Sequence, residues 1–419
     1  IGGGLIGGDD SSGGGTGGGG LIGGGLIGGD DSSGGGTGGG GLIGGGLIGG
    51  DDSSGGGSGG SAIGGGGGTA VVDPGFPTTF PGGTGNDTYY TKQWGMADIG
   101  VKDGWNTTKG NAAIIVAVID TGIDYTHEDL AANLWHNPGE MGNDSAGKDK
   151  STNGVDDDNN GFVDDVVGWD FAKNDNKPYD VASGGIFGGN PGHGTHCAGN
   201  IGAIADNGRG IVGVAPQIKL MAVRFLDEQG SGDLANGVKA IKYAVDMGAK
   251  VLSNSWGSEG DDGEGQAMKD VIQYAADHGV LFVAAAGNGH NGVGYNNDTD
   301  PKPGVPASYD TDNIVSVAAL DQNNRLGSFS NWGVKTVDIG APGVGIYSTL
   351  PSNKYGSLDG TSMACPHVAG AAALYWSKNP NMTYKDVKAA LLSSATPVPS
   401  LSGKSVSGGK LNVKALMTK

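Results

Sequence analysis

Cysteine is nearly missing: only Cys197 and Cys365 occur in 419 residues. Two thiols are too few for a disulfide scaffold, and they leave the redox compartment open. Long apolar runs are missing too, so no membrane-spanning helix is expected. Positive charge is scarce, with 25 Lys and Arg against 44 Asp and Glu, a net charge of −19. That balance argues against nucleic acid or an anionic membrane as the main partner. It suits a soluble protein, or one that binds cations. Residues 1–68 contain no Lys, no Arg and no aromatic side chain. They are more than half glycine and carry six aspartates, so a net −13 remains for the rest of the chain. The first residue is Ile1 rather than Met, so a processed product is expected, with any signal peptide upstream.

What is present begins with a repeat. The 21-residue unit LIGGGLIGGDDSSGGGTGGGG starts at Leu21 and recurs, slightly altered, from Leu42; a copy lacking its first leucine starts at Ile1. Such glycine content offers little apolar surface to offset chain entropy, so residues 1–68 read as a flexible tether. The alternative is an ordered repeat that stacks Leu-Ile pairs and holds cations on Asp-Asp pairs. Residues 69–85 read as a linker, and a globular domain is expected over 86–419.

Within that domain, strands and helices alternate. AAIIVAVID (112–120) is a continuous apolar run rich in β-branched residues, as expected of a strand buried on both faces. KLMAVRFL, KVLSNSW and GVLFVAAAG read alike. DLANGVKAIKYAVDMG (233–248) and GQAMKDVIQYAADHG (265–279) have helical spacing and end in glycine. The alternation predicts an α/β fold: a mostly parallel central sheet with helices on both faces, in three layers, with function at the C-terminal strand ends.

Three motifs stand out. VIDTGID puts Asp120 where a buried strand runs into a turn. NPGHGTHCAGNIGA puts His193 at the start of a small-residue helix. DGTSMACPHVAGAAAL puts Ser362 at the start of another, with Pro366 four residues on. Alone, each residue has a structural explanation as turn-former or cap. Together they supply what a serine nucleophile needs: a base for its proton, and a carboxylate to orient that base. A helix start also offers unpaired N–H groups where negative charge develops. Proline near that start is expected to cost little, since most of those N–H groups lack helical partners.

In their order and flanking residues, the three motifs resemble the subtilisin-like serine proteases over about residues 86–419. The stretch APGVGIYSTLPSNKYGSLDGTSMACPHVAGAAAL follows the family pattern almost continuously. The resemblance implies the subtilisin-like fold and a secreted or cell-surface serine endopeptidase acting on polypeptides, with any propeptide outside this chain. It gives Asp120 the role of orienting the base, His193 that of base and then acid, and Ser362 that of nucleophile. Asn288, in AAAGNG, matches the oxyanion asparagine. Gly230, Ser231 and Gly232, with Ser255, Trp256 and Gly257, match the two segments that flank an extended peptide. Ala285, Ala286 and Gly287 would line the primary side-chain pocket. Asp298 and Asp300, in a loop that departs from the family, could favour basic side chains. His196 reads as a structural core histidine.

Structural calcium is the expected cofactor. In VDDDNNGFVDD (155–165), Asp156, Asp158 and Asn160 stand at alternate positions before Gly161, with the Phe162 carbonyl next, as in the opening of a calcium loop. Val167 stands where such a loop has its closing glutamate, so Asp164 or Asp165 is expected to close the site. The resemblance implies a second site at Asp129 and Asn207, completed by the carbonyls of Ala205, Arg209 and Ile211. Cys197 falls one helical turn after His193, and buried thiols or a Cys197–Cys365 disulfide both stay open. Two rival readings are an inactive member kept for binding, and a mainly structural chain anchored by its repeat.

Overall fold

The computed structural model describes residues 87–183, 190–260 and 265–419, and the backbone of residues 20–23. Most of the repeat, the linker at 69–85 and Asn86 lie outside the described residues.

A nine-stranded sheet forms the centre. Its order is β14 (Thr396–Pro397), β15 (Gly409–Lys410), β11 (Ile339–Pro342), β10 (Ile314–Leu320), β8 (Leu281–Ala285), β6 (Val251–Asn254), β2 (Ile115–Asp120), β4 (Lys219–Arg224) and β3 (Gly168–Asp170). Every neighbouring pair is parallel except β14 with β15. Successive side chains on a strand point to opposite faces. On β2, Val116 and Val118 join one core cluster with Ile201, Ala364 and Val368. Ala117 and Ile119 join a second with Ile241 and Ile272. Helices α3 (His193–Gly202) and α6 (Thr361–Lys378) therefore cover one face, and α4 (Leu234–Asp246) and α5 (Gly265–Asp277) the other. Two buried faces explain why the strands read as unbroken apolar runs.

Helix α4 shows how the sequence sets an element. The Asp233 carboxylate caps it by accepting the Asn236 N–H at 2.8 Å. Ala240, Ile241, Ala244 and Val245 fall on one face and are buried, while Lys239, Lys242 and Asp246 are exposed. Short helices α1 (Trp94–Asp98) and α2 (Val101–Gly104) lead into β2, and α7 (Tyr384–Ser394) and α8 (Val413–Leu416) close the chain.

The run KVLSNSW does not stay in one strand. It leaves the central sheet at Ser255, between β6 and β7 (Trp256–Glu259). The Asn254 amide locks this exit by donating to the carbonyls of Leu252 and Val283, both at 3.2 Å. Strand β7 enters a four-stranded sheet of order β5 (Ser231–Asp233), β1 (Gly20–Gly23), β7 and β9 (Gly304–Val305). Of the repeat, the backbone of Gly20–Gly23 is described, as strand β1. A hairpin of β12 (Ile346–Leu350) and β13 (Lys354–Leu358) packs beside α3.

Candidate active site

Asp120 is the last residue of β2, and His193 is the first of α3. Gly192 caps α3 with φ 95°, and a Cβ there would overlap the Pro351 ring, so glycine is required. The Asn190 side-chain oxygen accepts both the Gly192 and His193 N–H groups at 2.8 Å. These anchors bring the His193 Nδ1 to 2.8 Å from Asp120 Oδ1, which also accepts the Thr121 N–H at 2.7 Å. Both side chains are buried. Burial pushes the imidazole pKa down, but the adjacent Asp120 carboxylate outweighs it, and the result lies above the ordinary 6.5. The Nε2 of His193 makes no hydrogen bond among the described residues.

Ser362 is the second residue of α6 and is buried. Its hydroxyl donates to the Ser255 carbonyl at 3.0 Å. Its own carbonyl accepts from Ser255 Oγ at 2.9 Å and from Cys197 Sγ at 3.4 Å. The Cys197 sulfur lies within 4.8 Å of ligand atoms of both Asp120 and His193, and its bond to the Ser362 carbonyl joins α3 to α6. Pro366 lies near the start of α6 but beyond its first turn. It is the sixth residue of α6. Its missing N–H would have bonded the Ser362 carbonyl, and Ser255 and Cys197 serve that oxygen instead.

Asn288 follows β8. Its side-chain oxygen accepts the Thr361 N–H at 2.9 Å and the Thr361 hydroxyl at 2.8 Å. This fixes the amide's orientation. A Cβ added at Gly360 would lie 3.5 Å from both Asn288 Nδ2 and the Ser362 backbone nitrogen. Two donors from separate elements thus border one space beside Ser362, the arrangement that receives a developing oxyanion.

The peptide-flanking segments take the form of β5 and β7, which run antiparallel on either side of β1. Trp256 is only 1 % exposed and packs on Phe225, so it offers backbone rather than side chain. Gly230 turns the chain into β5 with φ 78°. Ala285 ends β8, and Gly287 is half-buried beyond it. The Ala286 side chain lies in a core cluster with Ala318 and Val337. Asp298 accepts the backbone N–H groups of Lys335 and Thr336 and the Thr336 hydroxyl, and Asp300 pairs with His290.

Sequence reasoning missed Asp180. It is fully buried and accepts from the Thr121 hydroxyl and from both the N–H and hydroxyl of Thr195. It ties the turn after Asp120 to the first turn of α3. Burial pushes its pKa up to about 6. No motif marks it, because it belongs to a loop far from both elements. His196 is a core histidine: burial drives its pKa to about 3, and Nε2 contacts the carbonyls of Ile346 and Gly356. Cys197 and Cys365 are buried free thiols, not a disulfide.

In the acidic loop, Glu140, Asp156 and Asp158 converge, each with a carboxylate oxygen within 4.8 Å of the others. Glu140 is buried, and its Oε2 has no hydrogen-bond partner among the described residues. That orphaned oxygen beside two carboxylates fits a divalent cation. Asp165 accepts from Tyr243, Asn137 and Asn160, and both Asp164 oxygens accept the Gly154 N–H. Asn160 donates its amide to Asp165, and Phe162 packs on Trp169 and Tyr243. At the other candidate, Asp129 accepts from Asn207, Ile211 and Tyr355 at 2.6, 2.8 and 3.1 Å. Burial raises its pKa to about 6. The Asn207 oxygen accepts the Arg209 N–H, and Ala205 borders the same loop. Asp87 adds two acceptors for the N–H groups of Asp206 and Asn207.

A family model described as the subtilase family matches residues 111–412. Thermitase of Thermoactinomyces vulgaris is 38% identical over 317 residues, which cover 75% of this chain and 92% of thermitase. A thermophilic serine proteinase of Bacillus sp. (strain AK1) is 38% identical over 299 residues, 71% of this chain but 61% of that protein. Subtilisin DY of Bacillus licheniformis is 43% identical over 205 residues, 49% of this chain and 70% of its own length.

Proposed function

The chain belongs to the subtilase family of subtilisin-like serine endopeptidases, and on that premise we propose that it hydrolyses polypeptides by acyl transfer through Ser362. The observation that carries this reading is the buried His193–Asp120 pair at 2.8 Å, with Ser362 and its N–H at the start of the adjoining α6 and the Asn288 amide beside Gly360. Asp120 holds the Nδ1–H and stabilises the imidazolium, leaving Nε2 to take a proton. The Ser362 hydroxyl turns from the Ser255 carbonyl toward that nitrogen and attacks the scissile carbonyl. Asn288 Nδ2 and the Ser362 N–H receive the oxyanion. His193 then gives its proton to the leaving amine, and water repeats the cycle on the acyl-enzyme. Strands β5 and β7 hold the substrate by its backbone, which supports broad specificity.

Calcium in this reading is structural and binds Glu140, Asp156 and Asp158. It neutralises three acids that otherwise repel one another. A second ion at Asp129 requires the Asn207 amide to turn its oxygen inward. Secretion or surface display fits a calcium-stabilised fold. No helix among the described residues is long and apolar enough to cross a membrane.

Digestion of a peptide library by the full chain and by Ser362→Ala, side by side, tests the assignment. Cleavage by the first and none by the second is expected, with fluorophosphonate labelling confined to Ser362. Equal patterns from both proteins would overturn it.

A further inference from the structure

Glu259, His290 and Asp300 form a charged group that the catalytic steps leave unused. The His290 Nδ1 lies 2.8 Å from Glu259 Oε1, and its Nε2 lies 3.4 Å from Asp300 Oδ2. The ring stacks on Tyr295, with centroids 4.0 Å apart and planes 13° apart. The place of this group follows from three elements. Side chains alternate along β7, so Gly257 and Glu259 share the face opposite the buried Trp256. Glu259 stands across from Gly304 of β9, and a Cβ on Gly304 would lie 2.8 Å from the Ala286 carbonyl oxygen. The Asn297 amide donates to that same carbonyl at 2.9 Å, and its oxygen accepts the Gly304 N–H at 3.1 Å. His290 follows Asn288 by two residues, and its N–H and C=O pair with Val293 in a tight turn. Residues 285–287 and β7 are the walls assigned to substrate. The carboxylate–imidazole–carboxylate group ties the continuation of one wall to the end of the other.

We propose that Glu259 and Asp300 form an acidic receptor for a lysine or arginine side chain on the amino side of the scissile bond, with His290 as its built-in counter-ion. The inference rests on the cleft assignment above and adds a side-chain preference to recognition through the main chain. Two carboxylates share one imidazole, so the group keeps an excess of negative charge in either state of His290. All three side chains are within reach of a ligand, with exposures of 46 % for Glu259, 39 % for His290 and 19 % for Asp300. Asp298, on the same loop, belongs to another contact, with Lys335 and Thr336. Burial pushes the His290 pKa down, but its bonds to Glu259 and Asp300 and their charges outweigh this, and the result lies above the ordinary 6.5. Tyr295 stays neutral, because burial pushes its pKa up to about 12. Lys302 packs its stem against Gly260, 3.3 Å from a Cβ built there. Asp261, Asp262 and Glu264 lie outside the described residues. As pH rises the imidazole loses its charge, and the receptor's attraction for a cation grows.

The test uses the full chain and two end-blocked peptides that differ only before the scissile bond, with lysine in one and uncharged norleucine in the other. The ratio of their kcat/KM values cancels the titration of His193, which both share. At low salt the lysine-to-norleucine ratio should rise about 1.5- to fivefold between about pH 5.5 and about pH 9, the range for one exposed ion pair. The substrate lysine stays charged throughout. At about 1 M salt, where the screening length is about 3 Å, the rise should shrink. Glu259→Gln should lower the ratio at both pH values, and Asp300→Asn should do the same. His290→Gln should give a high ratio that no longer changes with pH. Turnover of the norleucine peptide shows that each variant's cleft is folded. A ratio that Glu259→Gln and Asp300→Asn both leave unchanged, or a pH-dependent rise that survives in His290→Gln, would overturn the inference. Kd values of both peptides for Ser362→Ala read the same preference without chemistry. A lysine preference in Kd that Glu259→Gln removes, with neither peptide cleaved by the Ser362 protein, keeps the receptor and defeats the enzyme. Cleavage of both peptides with an unmoved ratio keeps the enzyme and defeats the receptor.

Discussion

The Ser362 carbonyl and Pro366 stand four residues apart on α6, and no hydrogen bond joins them because proline has no N–H to give. The oxygen accepts from Ser255 Oγ at 2.9 Å instead. In return, the Ser255 carbonyl accepts the Ser362 hydroxyl at 3.0 Å. Ser255 therefore holds both ends of the nucleophile's residue from the point where the chain leaves the central sheet.

Replacing Ser255 by alanine removes one of these bonds while the backbone carbonyl stays. A loss of about 1 kcal/mol is expected. Thermal unfolding in a Ser362→Ala background, which avoids autolysis, measures it. An unchanged midpoint would show that Cys197 alone satisfies the Ser362 carbonyl.

The raised pKa of His193 sets the acid limb of activity. The imidazole must be neutral to accept a proton, so kcat/KM should climb through an apparent pKa above 6.5. Asp120→Asn removes the carboxylate that raises it. The limb should move down, and kcat should fall by about 10⁴-fold, the size seen for this change in serine proteases of another fold. A pH–rate profile of both proteins decides the matter.

Asn288→Ala deletes one of the two donors that border the space at Gly360. A drop in kcat of about 10²–10³-fold is expected, a magnitude established for such a donor in subtilisin itself. KM should change little. A fall in kcat/KM carried by KM alone would place Asn288 in ground-state binding instead.

Chelation should lower the unfolding temperature, and added calcium should restore it. Glu140→Gln should abolish most of that calcium response while leaving activity at low temperature nearly intact. Asp164→Asn should not, because both Asp164 oxygens are held by the Gly154 N–H. Calorimetry on the three proteins, with and without chelator, separates these outcomes.

The candidate catalytic residues Asp120, His193 and Ser362 were legible because each sits in a short contiguous motif at an element's end. The three-layer sheet was legible from runs such as 112–120, whose buried faces leave no polar alternation. Glu140 was not. It stands far upstream of the acidic loop, and only a short helical turn at Pro138–Glu140 carries it there. Asp180 was hidden for the same reason: its partners lie in two other segments. Strand β1 was the least legible, because backbone pairing leaves no side-chain signature in a glycine-rich segment. The change of sheet at Ser255 was hidden inside an apolar run, since burial continues across it while hydrogen bonding does not.

The division of the core into two layers has a practical consequence. Asp120, His193 and Ser362 are carried by β2, α3 and α6, while α4 and α5 pack on the far side of the sheet. Lys239 and Lys242 project from the outer surface of α4. A dye, a polymer or a solid support coupled there would be shielded from the catalytic apparatus by a full thickness of sheet. The enzyme could then be immobilised through its back with its cleft still facing the solution.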